Sequence, residues 1–522
     1  MSSKSAGRAA LLAALAATGV AACSGSDGVA SPGEGVFVPS PPPAAPPPPA
    51  APPPPSPPTG PAASCPTGFV NAGIVANLRN CQLPAVVTGN LTVQKLTGVI
   101  YSISSVVDVG QDRGADPSNP IAGTTSGVLS FDPGVVVFGS GGLDFIRVNR
   151  GSQIFAVGSA ADPVIFTSRQ DVENPALADE APGSQWGGLL ILGRAPVSEG
   201  CPVGVLPPSA SCNPPAEATN AVYGGNTPTD NSGRISHVVI KYPGFTVTTN
   251  KELNGLTLAG VGNGTVVENV QVHQSSDDGV EIFGGTVNVR NIVMTGNDDD
   301  AFDTDLGWRG AAQYLLVVQR STGGDRGFEW SSHDSTVTPP FTTTDPLTRQ
   351  VVFRSQPRVS NVTVVMRSNV NVPAMLLNLG TQGFIYNSVF VRAAGTGTCL
   401  DIDNDYTLNG GGQTFQSVLL SCTTPFENDS TGGVNGAQTQ AEFAKTTNTN
   451  NNSAYTSTLV GRNGSPAFIN GATENAAVAS TVTNPAGFPF LTTPTRIGAV
   501  HTGNDTWYQG WTCSPMIGEE SC

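Results

Sequence analysis

Charge is scarce in this chain. Only 12% of its 522 residues are charged, against roughly 25% in an ordinary soluble domain. Basic residues are the scarcer sign: 24 Lys and Arg face 39 Asp and Glu, for a formal charge of −15. Without basic patches the chain lacks the electrostatic footprint that nucleic acid requires, and its folded body lacks one for anionic lipid headgroups. No apolar run reaches the ~18–20 residues that a membrane-spanning helix needs. Apolar stripes at helical spacing are missing as well, which disfavours folds that alternate strands with helices. No GxSxG, Walker-type loop or dinucleotide fingerprint occurs. The four histidines, His237, His273, His333 and His501, fall at no metal-ligand spacing, and the cysteines form no CxxC pair, which argues against zinc.

What is present begins with an address. A basic start (Lys4, Arg8) leads into the apolar stretch 9–17, which has the size of a signal-peptide core. It ends in Val20-Ala21-Ala22-Cys23. This resembles a bacterial lipobox, in which the cysteine becomes the lipidated first residue after cleavage; the alternative is an ordinary signal peptide with an incidental cysteine. Residues 1–22 then form the signal peptide, and their removal takes the formal charge from −15 to −17 with the loss of Lys4 and Arg8. Ser24, rather than Asp, after the cysteine implies the outer membrane by resemblance to enterobacterial lipoproteins. The protein would meet the membrane through this lipid, at ~0.8 kcal/mol per buried methylene. Residues 23–64 carry prolines at 41–43, 46–49, 52–55 and 57–58. Such a segment has no core to fold around and favours an extended polyproline stalk, roughly 70 Å long over 39–61. A ligand for a proline-recognising module is the other use of such a segment.

From Cys65 onward short β-rich runs alternate with Gly, Asn and Asp, and they repeat. Glu268-Asn269-Val270-Gln271-Val272 returns as Arg290-Asn291-Ile292-Val293-Met294, and Asp277-Asp278-Gly279-Val280-Glu281 as Asp299-Asp300-Ala301-Phe302-Asp303, both at an offset of 22. A third copy, Arg326-Gly327-Phe328-Glu329, follows at an offset of 26. The Asn unit recurs around Asn361 and Asn387, with His237 in its place earlier. A period of 22–30 residues with short strands predicts an all-β fold, a right-handed parallel β-helix in which each coil buries its apolar side chains by stacking on the next. Asn suits the bends because it tolerates left-handed backbone. The period predicts roughly 14–18 coils.

Residues 151–168 (Gly151-Ser152 to Thr167-Ser168), Trp186-Gly187-Gly188, Glu252-Leu253-Asn254-Gly255, Gly296-Asn297-Asp298-Asp299-Asp300 and Trp507-Tyr508-Gln509-Gly510-Trp511 resemble coil signatures of bacterial surface or secreted lipoproteins with this fold. That group falls within the pectate-lyase-like superfold. The resemblance covers nearly all of 65–522 and implies the fold rather than an activity. The expected plan is a β-helix over 65–495, with 65–90 as an N-terminal cap, insertions at about 197–230, 333–350 and 423–485, a short helix near Gln440–Lys445, and a C-terminal cap over 496–522. Trp507, Tyr508 and Trp511 either belong to that cap or stack on sugars.

Nine cysteines leave eight after Cys23. In an exported chain an even set reads as disulfides, and sequential pairing (Cys65/Cys81, Cys201/Cys212, Cys399/Cys422, Cys513/Cys522) is the simplest of the 105 connectivities open to eight cysteines. The span 277–305 holds eight acids and one base, Arg290. The repeat stacks Asp278 on Asp300 and Glu281 on Asp303. Like charges at one strand spacing repel unless they are protonated, solvated or bridged by a cation. Asp278, Glu281, Asp299, Asp300, Asp303 and Asp305 are therefore candidate ligands for Ca²⁺, which takes hard oxygen donors. The alternatives are a solvated acidic ridge satisfied partly by backbone amides, or catalysis by Asp277, Asp278, Asp300 and Asp303, with Arg309 or its neighbours Arg320 and Arg326 as base. The expected function is surface binding, adhesion or envelope structure in a lipid-anchored or released protein, with a polysaccharide or surface-protein ligand. The alternatives are a Ca²⁺-dependent polysaccharide lyase or glycoside hydrolase, and an accessory or substrate of a secretion or uptake machine.

Overall fold

The computed structural model describes residues 60–174, 176–248, 251–333, 340–342, 351–428 and 433–522. The signal peptide, Cys23, the stalk up to residue 59 and most of the 333–350 insertion lie outside them.

Between Val86 and Phe426 the chain winds as a right-handed parallel β-helix. One wall is an 11-stranded parallel sheet and the other belongs to a 15-stranded sheet. In the early coils the larger wall is two strips of short strands. They merge at Gly233–Lys241, whose first half pairs with Gln153–Val157 and whose second half pairs with Val164–Ser168. From there each coil turns the corner within one long strand, through a residue in left-handed conformation: His237, Asn269, Asn291, Tyr314, Asn361, Asn387 and Ser417, with φ between 52° and 62°. The strand register stacks these seven in one column. Asn bears this conformation at least cost because its short side chain bonds locally. Asn291 Nδ2 also donates to Asn269 Oδ1 at 2.9 Å, tying coil to coil.

The register places like over like inside the cylinder. Leu256, Val280, Phe302, Phe328, Met375, Leu400 and Phe426 form one interior column, all buried. Alternation along each strand sends their neighbours outward, and that is how the carboxylates reach one face.

Among the described residues the smaller wall contains eleven strands, one to a coil, rather than the expected 14–18, a height of about 50 Å. The expectation spread the whole body evenly over the period, whereas 110–126, 193–232 and everything after 427 leave the walls. At the N-terminal end Val70–Val75 pairs antiparallel with Leu78–Gln82, the Cys65–Cys81 disulfide pins the segment, and Phe69 packs on Tyr101 at 5.0 Å.

All four disulfides join sequential cysteines: Cys65–Cys81, Cys201–Cys212, Cys399–Cys422 and Cys513–Cys522. The third ties the two walls together near the last coil. Cys399 is buried in the strand Thr398–Ile402 of the smaller wall, and the half-buried Cys422 directly follows Thr414–Ser421 of the larger one. The insertion expected to begin just after Cys422 begins later. Residues Thr424–Phe426 first add one more strand to the smaller wall, paired with Thr398–Ile402, because Phe426 continues the interior column over Leu400.

The C-terminal segment differs from the expected end cap. The last coil is closed by the helix Gly436–Phe443, whose Phe443 meets Phe415 at 5.2 Å and Phe426 at 5.5 Å. Residues 478–522 run back along the outer side of the larger wall. Asn387 Nδ2 donates to the Ser480 carbonyl, Asn361 Nδ2 to the Arg496 carbonyl, and Gln271 Nε2 to the Cys513 carbonyl. The physical reason is that the outward side chains of these strands, Val293, Leu316, Val365 and Leu419 among them, are apolar and need a cover. Tyr508 and Trp511 are buried in that cover, so neither is a sugar platform.

Candidate functional site

Three successive coils of the smaller wall, Val280–Phe283, Phe302–Asp305 and Phe328–Trp330, stand in register, with Glu281 beside Asp303 and Asp303 beside Glu329. Val280, Phe302 and Phe328 point inward, so Glu281, Asp303 and Glu329 form an outward column at one strand spacing. The bends that enter these strands carry a second column. The Asp278 N–H donates to Asn254 Oδ1 at 3.2 Å, the Asp300 N–H to Asp278 Oδ1 at 3.0 Å, and the Arg326 N–H to Asp300 Oδ1 at 2.7 Å. Each side chain thus caps the backbone of the next coil. Asp277, Asp299 and Asp325 form a third column beside it. Eight of these nine positions are acids, and the ninth is Arg326.

Compensation is lopsided. The Arg326 guanidinium holds Asp325 at 2.5 Å and Glu329 at 2.8 Å, and lies 4.0 Å from Asp300. Arg320 pairs with Asp298 at 3.0 Å. No ion pair among the described residues reaches Asp277, Asp278, Glu281 or Asp303. Glu281 is bonded by the Asn254 amide, and Asp303 Oδ1 is buried without a partner. Burial, with Asp299 next, pushes Asp277 up to about 8. Burial also lifts Asp278, Glu281, Asp300 and Asp303 well above the carboxylate range, reinforced foremost by Asp303, Glu217, Glu329 and Glu329 respectively. Asp299, more exposed, is raised less, to about 6, by desolvation and then by Asp325.

A cleft of about 970 Å³ opens over the outward column. Its floor is Glu281, Asp303, Asp305 and Glu329. One wall comes from the 197–230 insertion, through Pro214–Asn220 and Tyr223, and another from Val247, Thr248 and Lys251. The Cys201–Cys212 disulfide closes a loop within the first half of the insertion. Glu199, which meets His333 Nδ1 at 3.0 Å, and Glu217 add two further acids to the lining.

Of the residues expected from sequence, Asp277, Asp278, Glu281, Asp299, Asp300 and Asp303 come together. Their oxygens fall into groups within 4.8 Å of one another: Asp277/Asp278/Asp299, Asp278/Glu281/Asp303, and Asp299/Asp300 with Asp325. Two oxygens that each lie at a calcium–oxygen distance of about 2.4 Å from one ion are at most about 4.8 Å apart, and the spacing within each of the three sets stays inside that bound. Asp305 lines the cleft but belongs to none of these groups. Arg309 is not at the cluster. Its Nε donates to the Arg354 carbonyl at 3.1 Å and its guanidinium lies 4.0 Å over the Phe353 ring. Six residues of separation from Asp303 carry the chain around the next bend, where the Arg309 N–H meets the Gly285 carbonyl. Sequence reasoning missed Asp325, although the offset of 26 that aligns Arg326 with Asp300 also aligns Asp325 with Asp299. It also missed Glu199, Glu217 and Lys251, whose place depends on where an insertion folds.

A family model described as a pectate-lyase-like β-helix domain matches residues 120–512. No curated protein and no solved structure matches the chain.

Proposed function

Because the chain belongs to the family of pectate-lyase-like β-helix domains, whose fold serves several functions, we propose that it is a binding protein of the cell exterior rather than an enzyme. The cleft over Glu281, Asp303 and Glu329 receives a polysaccharide or a surface protein, and Ca²⁺ held by Asp278, Glu281 and Asp303 links ligand to floor. The observation that supports this reading is the uncompensated carboxylate corner of the cleft. A cation there offsets the mutual repulsion of buried acids and offers a ligand its remaining coordination positions. Lyase chemistry needs an unengaged base near that cation; Arg326 is already shared among three carboxylates, which leaves Lys251 of the cleft wall as the basic side chain that such chemistry would have to use. The export signal, the lipid on Cys23 and the outer-membrane location belong to the same proposal, supported by the lipobox-like Val20-Ala21-Ala22-Cys23 and by the four disulfides, which suit an oxidising compartment.

One observation favours hydrolysis or elimination instead: Asp277, at about 8, is poised for proton transfer at neutral pH. The two readings separate when the protein is incubated with polyuronates and with neutral glycans, with and without Ca²⁺. Saturable, calcium-dependent binding without product, weakened at least tenfold by Asp303→Asn, is the expected outcome. Product formed by the parent protein and abolished by Asp277→Asn or Asp303→Asn would replace binding with catalysis.

A further inference from the structure

The outer face that carries the acidic cleft has a second, smaller cleft on its N-terminal coils. Its volume is about 440 Å³, and Val86, Asp108, Gln111, Arg147, Asn149 and Asn220 are among the residues that line it. That volume is within the range of small-molecule sites. The register builds the floor. Val86 pairs with Asp108 and Asp108 with Arg147, so these three begin the outward column that continues through Leu190 and Thr257 to Glu281. Arg147 and Glu281 are three strand spacings apart, about 14 Å. Leu190 and Thr257 between them are buried, and Asn220 of the 197–230 insertion lines both clefts.

The chemistry of this cleft is unlike that of the acidic one, because its charges cancel in pairs. Arg147 forks onto Asp108 at 2.6 and 2.9 Å, and Arg150 forks onto Asp112 with both bonds at 2.7 Å. What remains is a set of hydrogen-bonding groups held in fixed orientation. Asn149 is 6% exposed. Its Nδ2 donates to Asp108 Oδ1 and to the Gly110 carbonyl, both at 2.9 Å, which leaves its Oδ1 as an acceptor with no partner among the described residues. Gln111 Oε1 accepts from the N–H and the hydroxyl of Thr125 at 3.1 and 3.2 Å, which leaves its Nε2 as a donor. Arg147 engages Asp108 through Nε and Nη2 and keeps Nη1. The exposed Asn220 side chain makes no hydrogen bond among the described residues and offers a donor and an acceptor. Val86 adds an exposed apolar surface.

Donors and acceptors are thus mixed around a cleft whose acids and bases neutralise one another. Balanced charge favours neither an anion nor a cation, whereas a hydroxyl both donates and accepts. A sugar ring presents several hydroxyls beside apolar C–H faces, and an array already fixed by its own hydrogen bonds loses little freedom on binding. We infer that this cleft binds a neutral saccharide unit through Asn149 Oδ1, Gln111 Nε2, Arg147 Nη1 and the Asn220 amide. It is a second site on the wall and needs no calcium, so it does not depend on the metal corner of the acidic cleft.

Isothermal titration of the full chain in EDTA tests it, with neutral hexasaccharides built of glucose, of mannose, of galactose and of xylose, and with hexagalacturonate as the charged control. Saturable binding of at least one neutral chain is expected, weakened about fivefold or more by Gln111→Ala and unchanged by Asp303→Asn. Gln111→Glu, which keeps the acceptor that holds Thr125 and loses only the donor, is expected to weaken binding likewise. No neutral chain bound in EDTA, tighter binding of hexagalacturonate than of every neutral chain, or equal binding by the parent and both Gln111 variants would overturn the inference. Neutral binding abolished by Asp303→Asn would place the ligand in the acidic cleft, so the inference would fail while the reading of that cleft stands.

Discussion

Calcium is expected to reverse the pH dependence of this protein's stability. Without metal, Asp277 holds its proton to about pH 8 and Asp299 to about pH 6 in the folded state. Both release it near ~3.9 in the unfolded chain. Between those values the folded state binds more protons than the unfolded state, so stability falls as pH rises from about 4 to about 8. Asp278, Glu281, Asp300 and Asp303, all raised by burial, act in the same direction. A bound cation favours the ionised forms and pulls the folded values below the unfolded ones. Stability is then retained at neutral pH and lost as the solution is acidified. At a calcium concentration a hundred times Kd the gain is about 2.7 kcal/mol. Urea unfolding at about pH 5 and about pH 8, with EDTA or with calcium, reads both slopes. Asp303→Asn should remove most of the calcium effect and Asp305→Asn little of it, because only the former belongs to a ligand group. Coincident curves in EDTA and calcium would eliminate the metal site.

Arg326→Met is expected to destabilise the protein by about 3 kcal/mol at neutral pH, by removing one partner from a network of desolvated charges. The low end of the usual range applies because the Arg326 side chain is 21% exposed. Its loss leaves Asp325 and Glu329 unpaired beside Asp300. The cost should shrink as pH is lowered through the carboxylate range, and calcium should recover part of it, since the Asp299/Asp300/Asp325 group would then lack the guanidinium that neutralises it. Chemical denaturation of parent and variant across pH measures this. A cost that does not change with pH would mean that Arg326 acts through packing alone.

The carboxylate columns are legible in the amino-acid order because, in a parallel solenoid, the sequence period is the strand register. The offset of 22 between Glu281 and Asp303 becomes a direct pairing, and the Phe328-Glu329 copy keeps its pairing although its offset is 26. Extra residues at a bend do not disturb the register of the strands on either side. The same tolerance hid other features. Asp325 stands opposite Asp299 only at the offset of 26 that such an insertion creates, so the 22-residue period by itself passes over it. Arg309 lies close to Asp303 in sequence but around the next bend in space. Cys422 pairs with Cys399 as the spacing suggested, yet the wall continues past it to Phe426, because the interior column still had a place to fill. The tail at 496–522 carried an aromatic signature that suited an end cap. It covers a flank instead, because the apolar outer side of the larger wall, at Val293, Leu316 and Val365, required burial.

The amino-acid order alone determined the coil repeat, the inward aliphatic columns and the stacking of Glu281 on Asp303, because all of these are local or periodic and pass directly into register. Tertiary structure alone decided that the 197–230 insertion roofs those acids into a cleft, and that Arg326 neutralises one end of the columns and leaves the other uncompensated. Each of these depends on how residues distant in sequence share space and exclude water. No repeat encodes that, since the energy of a charge is set by its surroundings rather than by its neighbours along the chain.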